Sequence, residues 1–447
     1  MTIFIKNATV VNEGQSFRGS LLIVDDIIKS IFTDSSFIED ICADEIIDAS
    51  DLILIPGVID EHVHFREPGL THKADIHSET VAAAAGGVTS FMDMPNTVPA
   101  AITINELEKK YETAKEKSLI NYSFYLGATN QNLNEIKKIN AENICGVKIF
   151  MSSSTGNMLA DNEKNIEKIF EQSPTLIAVH CENEEIIKNN TAYFKSKFGD
   201  NIPFEYHSKI RNSEACITST KYAVNLAEKY KSRLHILHIS TAEETKILAA
   251  CAANKRISSE TCPHYLWFCS DDYQTEKGFI KCNPAIKTQT DRDALQHAVS
   301  HGIINTVATD HAPHLTDEKH NTYLNCPSGL PSIQHSLNIM LELVHKNILT
   351  VEKVVECMCH NPARIFSVKN RGFIRKDYKA DIVLIKPNTK WQADKSNILY
   401  KCAWTPFENI LFNYKITHTF VNGNPVYSNG KIYENIKGER LAFERKQ

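Results

Sequence analysis

Ile59-Asp60-Glu61-His62-Val63-His64-Phe65-Arg66-Glu67-Pro68-Gly69 follows the apolar run Leu52-Ile53-Leu54-Ile55 and the pair Pro56-Gly57. The apolar run reads as a buried strand leading into the two histidines. Side chains alternate faces along a strand, so His62 and His64 project together and can grip one divalent ion. Imidazole suits zinc, yet two ligands are too few for a tight site, and more must come from other parts of the chain. The plain alternative is a polar strand end, and the later strands decide between the two.

From Leu52 onward, β-like runs alternate with helical ones. Val88-Thr89-Ser90-Phe91-Met92-Asp93-Met94 follows an alanine-rich helix that Gly86-Gly87 stops, and Thr103 with Glu106 caps the next helix. Further strands are expected at 121–126, 146–151, 176–180, 234–239, 257–261 and 303–308, with helices such as 163–171, 213–230 and 291–301 between them. Eight strands with interleaved helices predict the α/β class and a (β/α)8, TIM-like barrel, whose active site lies at the carboxyl ends of its strands. A doubly wound sheet is the rival, but it does not normally gather ligands from so many strands. The β-rich ends carry the hairpin dipeptides Asn422-Gly423 and Asn429-Gly430. The expected organisation is therefore a barrel over 55–371 and a small β-sandwich domain built from 1–54 plus 372–447. The charged tail 438–447 is expected to be solvated.

At 447 residues and 42% hydrophobic content the chain has enough apolar material for a sizeable core. Its net charge of −5, from 49 basic and 54 acidic residues with no long basic run, argues against nucleic acid or an anionic membrane as the main partner. No apolar stretch approaches a membrane span and the start is unlike a signal peptide, so a cytoplasmic location is expected. The twelve cysteines are scattered and read as reduced thiols. Cys357-x-Cys359-His360 has metal-binding residue types but sits in a helical-looking segment, where core packing is the reading.

The later strands end on residues of metal chemistry: Lys148 in Val147-Lys148-Ile149, His180 after Val179, His238 after Leu237 and Asp310 after Thr309. A barrel brings these ends to one mouth. A lysine between Val147 and Ile149 either snorkels to solvent or is buried with a lowered pKa. In the second case its amine can take up carbon dioxide as a carbamate that bridges two metals.

The ordered set Asp60-x-His62-Val63-His64-Phe65-Arg66-Glu67-Pro68-Gly69, Met94-Pro95-Asn96-Thr97, Val147-Lys148-Ile149-Phe150-Met151, Val179-His180, His238-Ile239-Ser240, Cys282-Asn283-Pro284 and Ala308-Thr309-Asp310-His311-Ala312-Pro313-His314 resembles the amidohydrolase superfamily, and within it the bacterial-type dihydroorotases. The resemblance implies two divalent ions, zinc being the suited metal. One is held by His62, His64 and Asp310, the other by His180 and His238, with carboxylated Lys148 between them. Many relatives have an aspartate where this chain has Lys148. The resemblance also implies that Arg66, Asn96, Asn283 and His314 bind the carboxylate and ring edges of dihydroorotate or carbamoyl aspartate, and that the chain forms a homodimer. From local sequence, Asn96 and Asn283 serve equally well as turn formers beside Pro95 and Pro284, and His314 as a loop histidine.

Metal coordination lowers the pKa of water enough for attack on an amide carbonyl, and Asp310 is placed to act as base and then acid. Arg66 shares a strand face with His64 and points to an anionic ring, unless it pairs with Glu67 or another rim acid. His235 and His311 are expected to face away from the pocket, and His264 has no assigned role. The loop 313–331 is expected to shape or cover the pocket, although Pro327-Ser328-Gly329-Leu330-Pro331-Ser332 departs from the usual family pattern. The nearest rivals are allantoinase, hydantoinase or dihydropyrimidinase; a non-catalytic scaffold is the rival from another class.

Overall fold

The computed structural model describes residues 1–33, 41–151 and 162–445. β-branched and small apolar residues near the start form β1 (Thr2–Asn12) and β2 (Gln15–Val24), joined by a tight turn in which Glu13 and Gly14 have φ of 52° and 78°. β3 (Ile27–Phe32), β4 (Glu45–Asp48) and β5 (Ile53–Pro56) follow. β5 lies across the domain boundary expected between residues 54 and 55. The run in front of the histidines belongs to the terminal sheet, parallel to Thr9-Val10 and antiparallel to Ile382–Ile385. The histidines sit instead on and just beyond β6 (Val58–Val63), the first barrel strand. The chain changes sheets at Gly57, where a Cβ would lie 2.1 Å from Thr89 Oγ1. Hydrophobic patterning marked the run as buried but not which layer it was buried in.

β6 and β7 (Val88–Asp93) begin a parallel ring that continues through β8 (Asn121–Phe124), β9 (Leu126–Gly127), β10 (Val147–Phe150), β11 (Ile177–His180), β12 (Leu234–Ile236), β13 (Ile257–Thr261) and β14 (Thr306–Val307). With β8 and β9 as one interrupted strand, this is an eight-stranded barrel, and a parallel bridge between Val63 and His311 closes it. Its strands are buried on both faces, as a parallel sheet under helices requires. Helix α1 (Ile76–Ala85) starts at Asp75, whose side chain accepts from Ser78 N, and stops at Gly86, where a Cβ would meet the Gln334 carbonyl at 2.6 Å.

After the barrel come β15 (Ile382–Lys386), a short pair β16 (Trp391–Gln392) and β17 (Leu411–Phe412), then β18 (Lys415–Val421), β19 (Asn424–Ser428) and β20 (Lys431–Ile432). β20-β19-β18-β15-β5-β1-β2-β3 run side by side, with β4 also on β1, so both ends of the chain build one sheet. Asn422-Gly423 and Asn429-Gly430 adopt positive φ at both positions, the geometry of two-residue hairpins. The sheet buries Ile3, Ile5, Leu21, Ile23, Leu54, Ile382 and Phe420 together.

The tail is a second correction. Rather than being solvated, Leu441 and Phe443 are buried, Arg440 bridges β-fashion to Tyr122, and its guanidinium lies 3.4 Å from the Tyr111 ring centroid. Two apolar side chains at alternate positions are enough to dock the segment on the amino ends of the barrel strands; the surrounding charges hid them. Residues 446 and 447 lie outside the described residues. All twelve cysteines are free, and Cys359 Sγ and His360 make ordinary hydrogen bonds to backbone groups.

Candidate metal centre and substrate pocket

The carboxyl ends of the barrel strands open into a cavity of about 270 Å³ lined by His62, His64, Arg66, Asn96, Lys148, Phe150, His180, His238, Asn283, Asp310, Ala312 and residues 327–329. Every candidate read from the sequence borders it except His314, which stands behind Arg66 with Nε2 3.1 Å from Arg66 Nη2. Arg66, His238 and Asp310 hold left-handed backbone, at φ of 66°, 43° and 46°. Such conformations cost about 1 kcal/mol or more each in non-glycine residues, and here they lie where strand gives way to loop at the mouth.

Two groups of donors face each other. Asp310 Oδ1 lies 3.2 Å from His62 Nε2 and 3.0 Å from His64 Nε2, while His180 Nδ1 lies 2.8 Å from His238 Nε2. The His62 and His238 ring centroids are 5.4 Å apart, so the groups are neighbours. Three of the imidazoles have their other nitrogen engaged by an oxygen acceptor. His62 Nδ1 meets Glu260 at 2.7 Å, His64 Nδ1 meets Asn96 Oδ1 at 2.8 Å, and His180 Nε2 meets Glu182 at 2.9 Å. That arrangement fixes each ring and leaves one nitrogen aimed into the mouth, as in histidine metal sites generally. Burial lowers the pKa of His64, His180 and His238, favouring the neutral ligating form. His62 differs: burial opposes its charge, but Glu260 and Asp310 on either side raise it to about 9. The position between two carboxylates suits a cation.

Lys148 completes the group. Its side chain is fully buried, Nζ has no hydrogen-bond partner among the described residues, and it lies over the Phe150 ring, 4.5 Å from the centroid. The side chain does not snorkel to solvent. Burial brings the ammonium down to about 7 against the opposing pull of Asp310 and Glu260, so a large share of the amine is unprotonated near neutrality. An orphaned, deprotonatable amine among imidazoles and a carboxylate fits a metal site in which that lysine is modified to an oxygen donor.

The family model described as the amidohydrolase family matches residues 53–426. The chain belongs to the amidohydrolase family. This amidohydrolase is 32% identical over 380 residues to a dihydroorotase of Methanosarcina mazei, covering 82% of each chain, and 30% identical over 421 residues to a dihydroorotase of Methanosarcina acetivorans, covering 91% of this chain and 88% of the relative. Among solved structures it resembles an L-hydantoinase (dihydropyrimidinase) from Arthrobacter aurescens, with a TM-score of 0.91, 25% identity, and 96% and 97% of the two chains covered. The family is metal-dependent, and the clustered histidines and carboxylates of this amidohydrolase are of the kind such chemistry uses.

Several residues that shape the site escaped the sequence reading. Glu260 was visible as an acid inside a predicted strand, Ile257-Ser258-Ser259-Glu260-Thr261, which is itself a signal. Glu182, two residues past His180, ties that imidazole to Arg211. Glu260→Gln is expected to weaken metal binding by about 10–100-fold with the fold intact, measured by competition with a chelator; unchanged affinity contradicts the orienting role. His235 and His311 border no part of the cavity: His235 Nε2 lies 3.7 Å from Glu260, and His311 Nε2 binds Glu79 at 2.7 Å. Glu61, His235 and Glu260 form a second, fully buried group beside the site. His264 is buried with both nitrogens unpartnered among the described residues and also lies off the cavity lining.

Proposed function

We propose that this amidohydrolase is a dihydroorotase, interconverting N-carbamoyl-L-aspartate and dihydroorotate in pyrimidine biosynthesis. One observation carries the choice of an anionic ring. Arg66 is 4% exposed, borders the cavity, and forms no ion pair with a carboxylate among the described residues; its Nε donates to the Pro313 carbonyl at 3.1 Å. Glu67, the obvious alternative partner, is taken by Lys117 and by the Ile76 backbone N–H. Burial lowers the Arg66 pKa to about 10, still well above neutrality, so the group stays charged. A buried guanidinium without a counter-ion is costly unless the ligand supplies one, and a ring carboxylate fits its fork. The dihydroorotases among its relatives support the same substrate class.

His62, His64 and Asp310 are assigned to one divalent ion, His180 and His238 to the other, and carboxylated Lys148 to both, with zinc the ion suited to this donor set. When bound, the ions lower the pKa of water and polarise the amide carbonyl. Asp310 moves the proton. Its Oδ1 faces the two imidazoles, and the other oxygen is left to accept a proton from the attacking water and deliver it to the departing ring nitrogen as the C–N bond breaks and the C–O bond forms. Ring closure runs the same transfers backwards. Arg66 anchors the carboxylate, with His314 holding Arg66 from behind and the carboxamides of Asn96 and Asn283 at the ring edges. Asn283 Oδ1 is buried and unpartnered among the described residues, as an acceptor waiting for a ring N–H would be.

This reading includes a small-molecule substrate, no nucleic acid or membrane partner, a homodimer and a cytoplasmic location; no helix among the described residues is long and apolar enough to cross a membrane. The hydantoinase-like structure is the second reading, since that barrel serves uncharged rings as well. Arg66→Met separates them. The expected result is a rise in KM for carbamoyl aspartate of about 10–100-fold, the loss of about 1.5–3 kcal/mol of charge-assisted hydrogen bonding, with metal content unchanged. Unaltered kinetics refute the anchoring role.

A further inference from the structure

Lys281 and Lys319 are buried and form no ion pair among the described residues. Their ammonium groups are bonded to backbone carbonyls. Lys319 Nζ donates to Lys281 O at 3.2 Å, Pro327 O at 2.9 Å and Gly329 O at 2.7 Å, and Lys281 Nζ donates to Tyr323 O and Cys326 O, each at 2.6 Å. Gly329 N returns a bond to Lys281 O at 2.9 Å, and two residues beyond Lys281 stands Asn283. These bonds therefore tie two walls of the cavity together, the 327–329 segment and the Cys282-Asn283 turn. Gly329, at φ 138°, is pressed so closely on Ala312 that a Cβ would lie 2.6 Å from its carbonyl oxygen, so the wall has little room to shift independently.

We propose that Lys319 and Lys281 are positioning residues that clamp the 327–329 wall onto the Asn283 turn. Each buried side chain donates to backbone carbonyls, so removing it leaves those carbonyls without their donor. Burial lowers the pKa of Lys319 to about 7 and that of Lys281 to about 8, and the unprotonated amine still donates to carbonyls, so the clamp does not depend on charge. The clamp does not rest on the dihydroorotase reading.

Lys319→Met removes the donor, whereas Lys319→Gln keeps one. The expected result in dihydroorotate hydrolysis by the metal-loaded enzyme is a KM raised about tenfold in Lys319→Met and less in Lys319→Gln, with kcat within about threefold of the parent. Hydrogen exchange of the peptide spanning 321–332 should quicken in Lys319→Met and stay closer to the parent in Lys319→Gln. Unchanged exchange in the methionine variant overturns the clamp. Failure of the parent itself to turn over dihydroorotate strikes the functional reading, while the exchange measurement still decides the clamp.

Discussion

Asp310→Asn is expected to retain metal and substrate while kcat falls by about 10³-fold, within the range that a positioned acid–base group contributes. Asparagine preserves the shape at a backbone position held at φ 46° and still offers an oxygen to His62 and His64. It cannot carry the proton. The imidazoles hold the Asp310 carboxyl well below the usual carboxylate range despite its burial, so in the parent it is ionised and ready to accept. Metal counting and single-turnover kinetics distinguish the outcomes. Loss of metal along with activity makes Asp310 chiefly a ligand, and an unaffected kcat removes it from proton transfer altogether.

The second large effect concerns Lys148. After chelation, zinc alone in buffer freed of carbon dioxide is expected to restore little activity, and zinc with bicarbonate nearly all of it. The reason is chemical: only the uncharged amine reacts with carbon dioxide, and only the resulting carbamate offers oxygens to a cation. Because burial brings the Lys148 ammonium to about 7, the neutral fraction grows as the pH rises through that value, so reactivation should quicken between about pH 6 and pH 8. Lys148→Ala should lower bound metal and reduce turnover by several kcal/mol of barrier, about 10³-fold or more. Full reactivation without carbon dioxide contradicts the modified-lysine assignment.

Much of this arrangement can be read from the chain because a barrel places its strand ends at one mouth. Once Lys148, His180, His238 and Asp310 are seen to close successive β-like runs, their convergence follows from topology, and the structure brings all four to the cavity. What could not be read depends on partners that leave no sequence pattern. The run 52–55 is equally apolar whether it lies in the barrel or in the terminal sheet, so only its pairing with Thr9-Val10 and Ile382–Ile385 reveals its layer. The docking of the tail through Leu441 and Phe443 is invisible to a charge count. Lys281 and Lys319 bond to backbone carbonyls, which every residue carries, so nothing in the neighbouring sequence advertises them. Arg66 is the opposite case: its neighbour Glu67 looks like a natural counter-ion in sequence, and the fold sends that acid to Lys117.

The most direct test of the account is a comparison of initial rates on one preparation of metal-loaded enzyme, with dihydroorotate and carbamoyl aspartate set against dihydrouracil, hydantoin and allantoin. A cavity whose buried guanidinium awaits a carboxylate should turn over the first two in opposite directions and leave the uncharged rings essentially untouched. Turnover confined to the uncharged rings would contradict it.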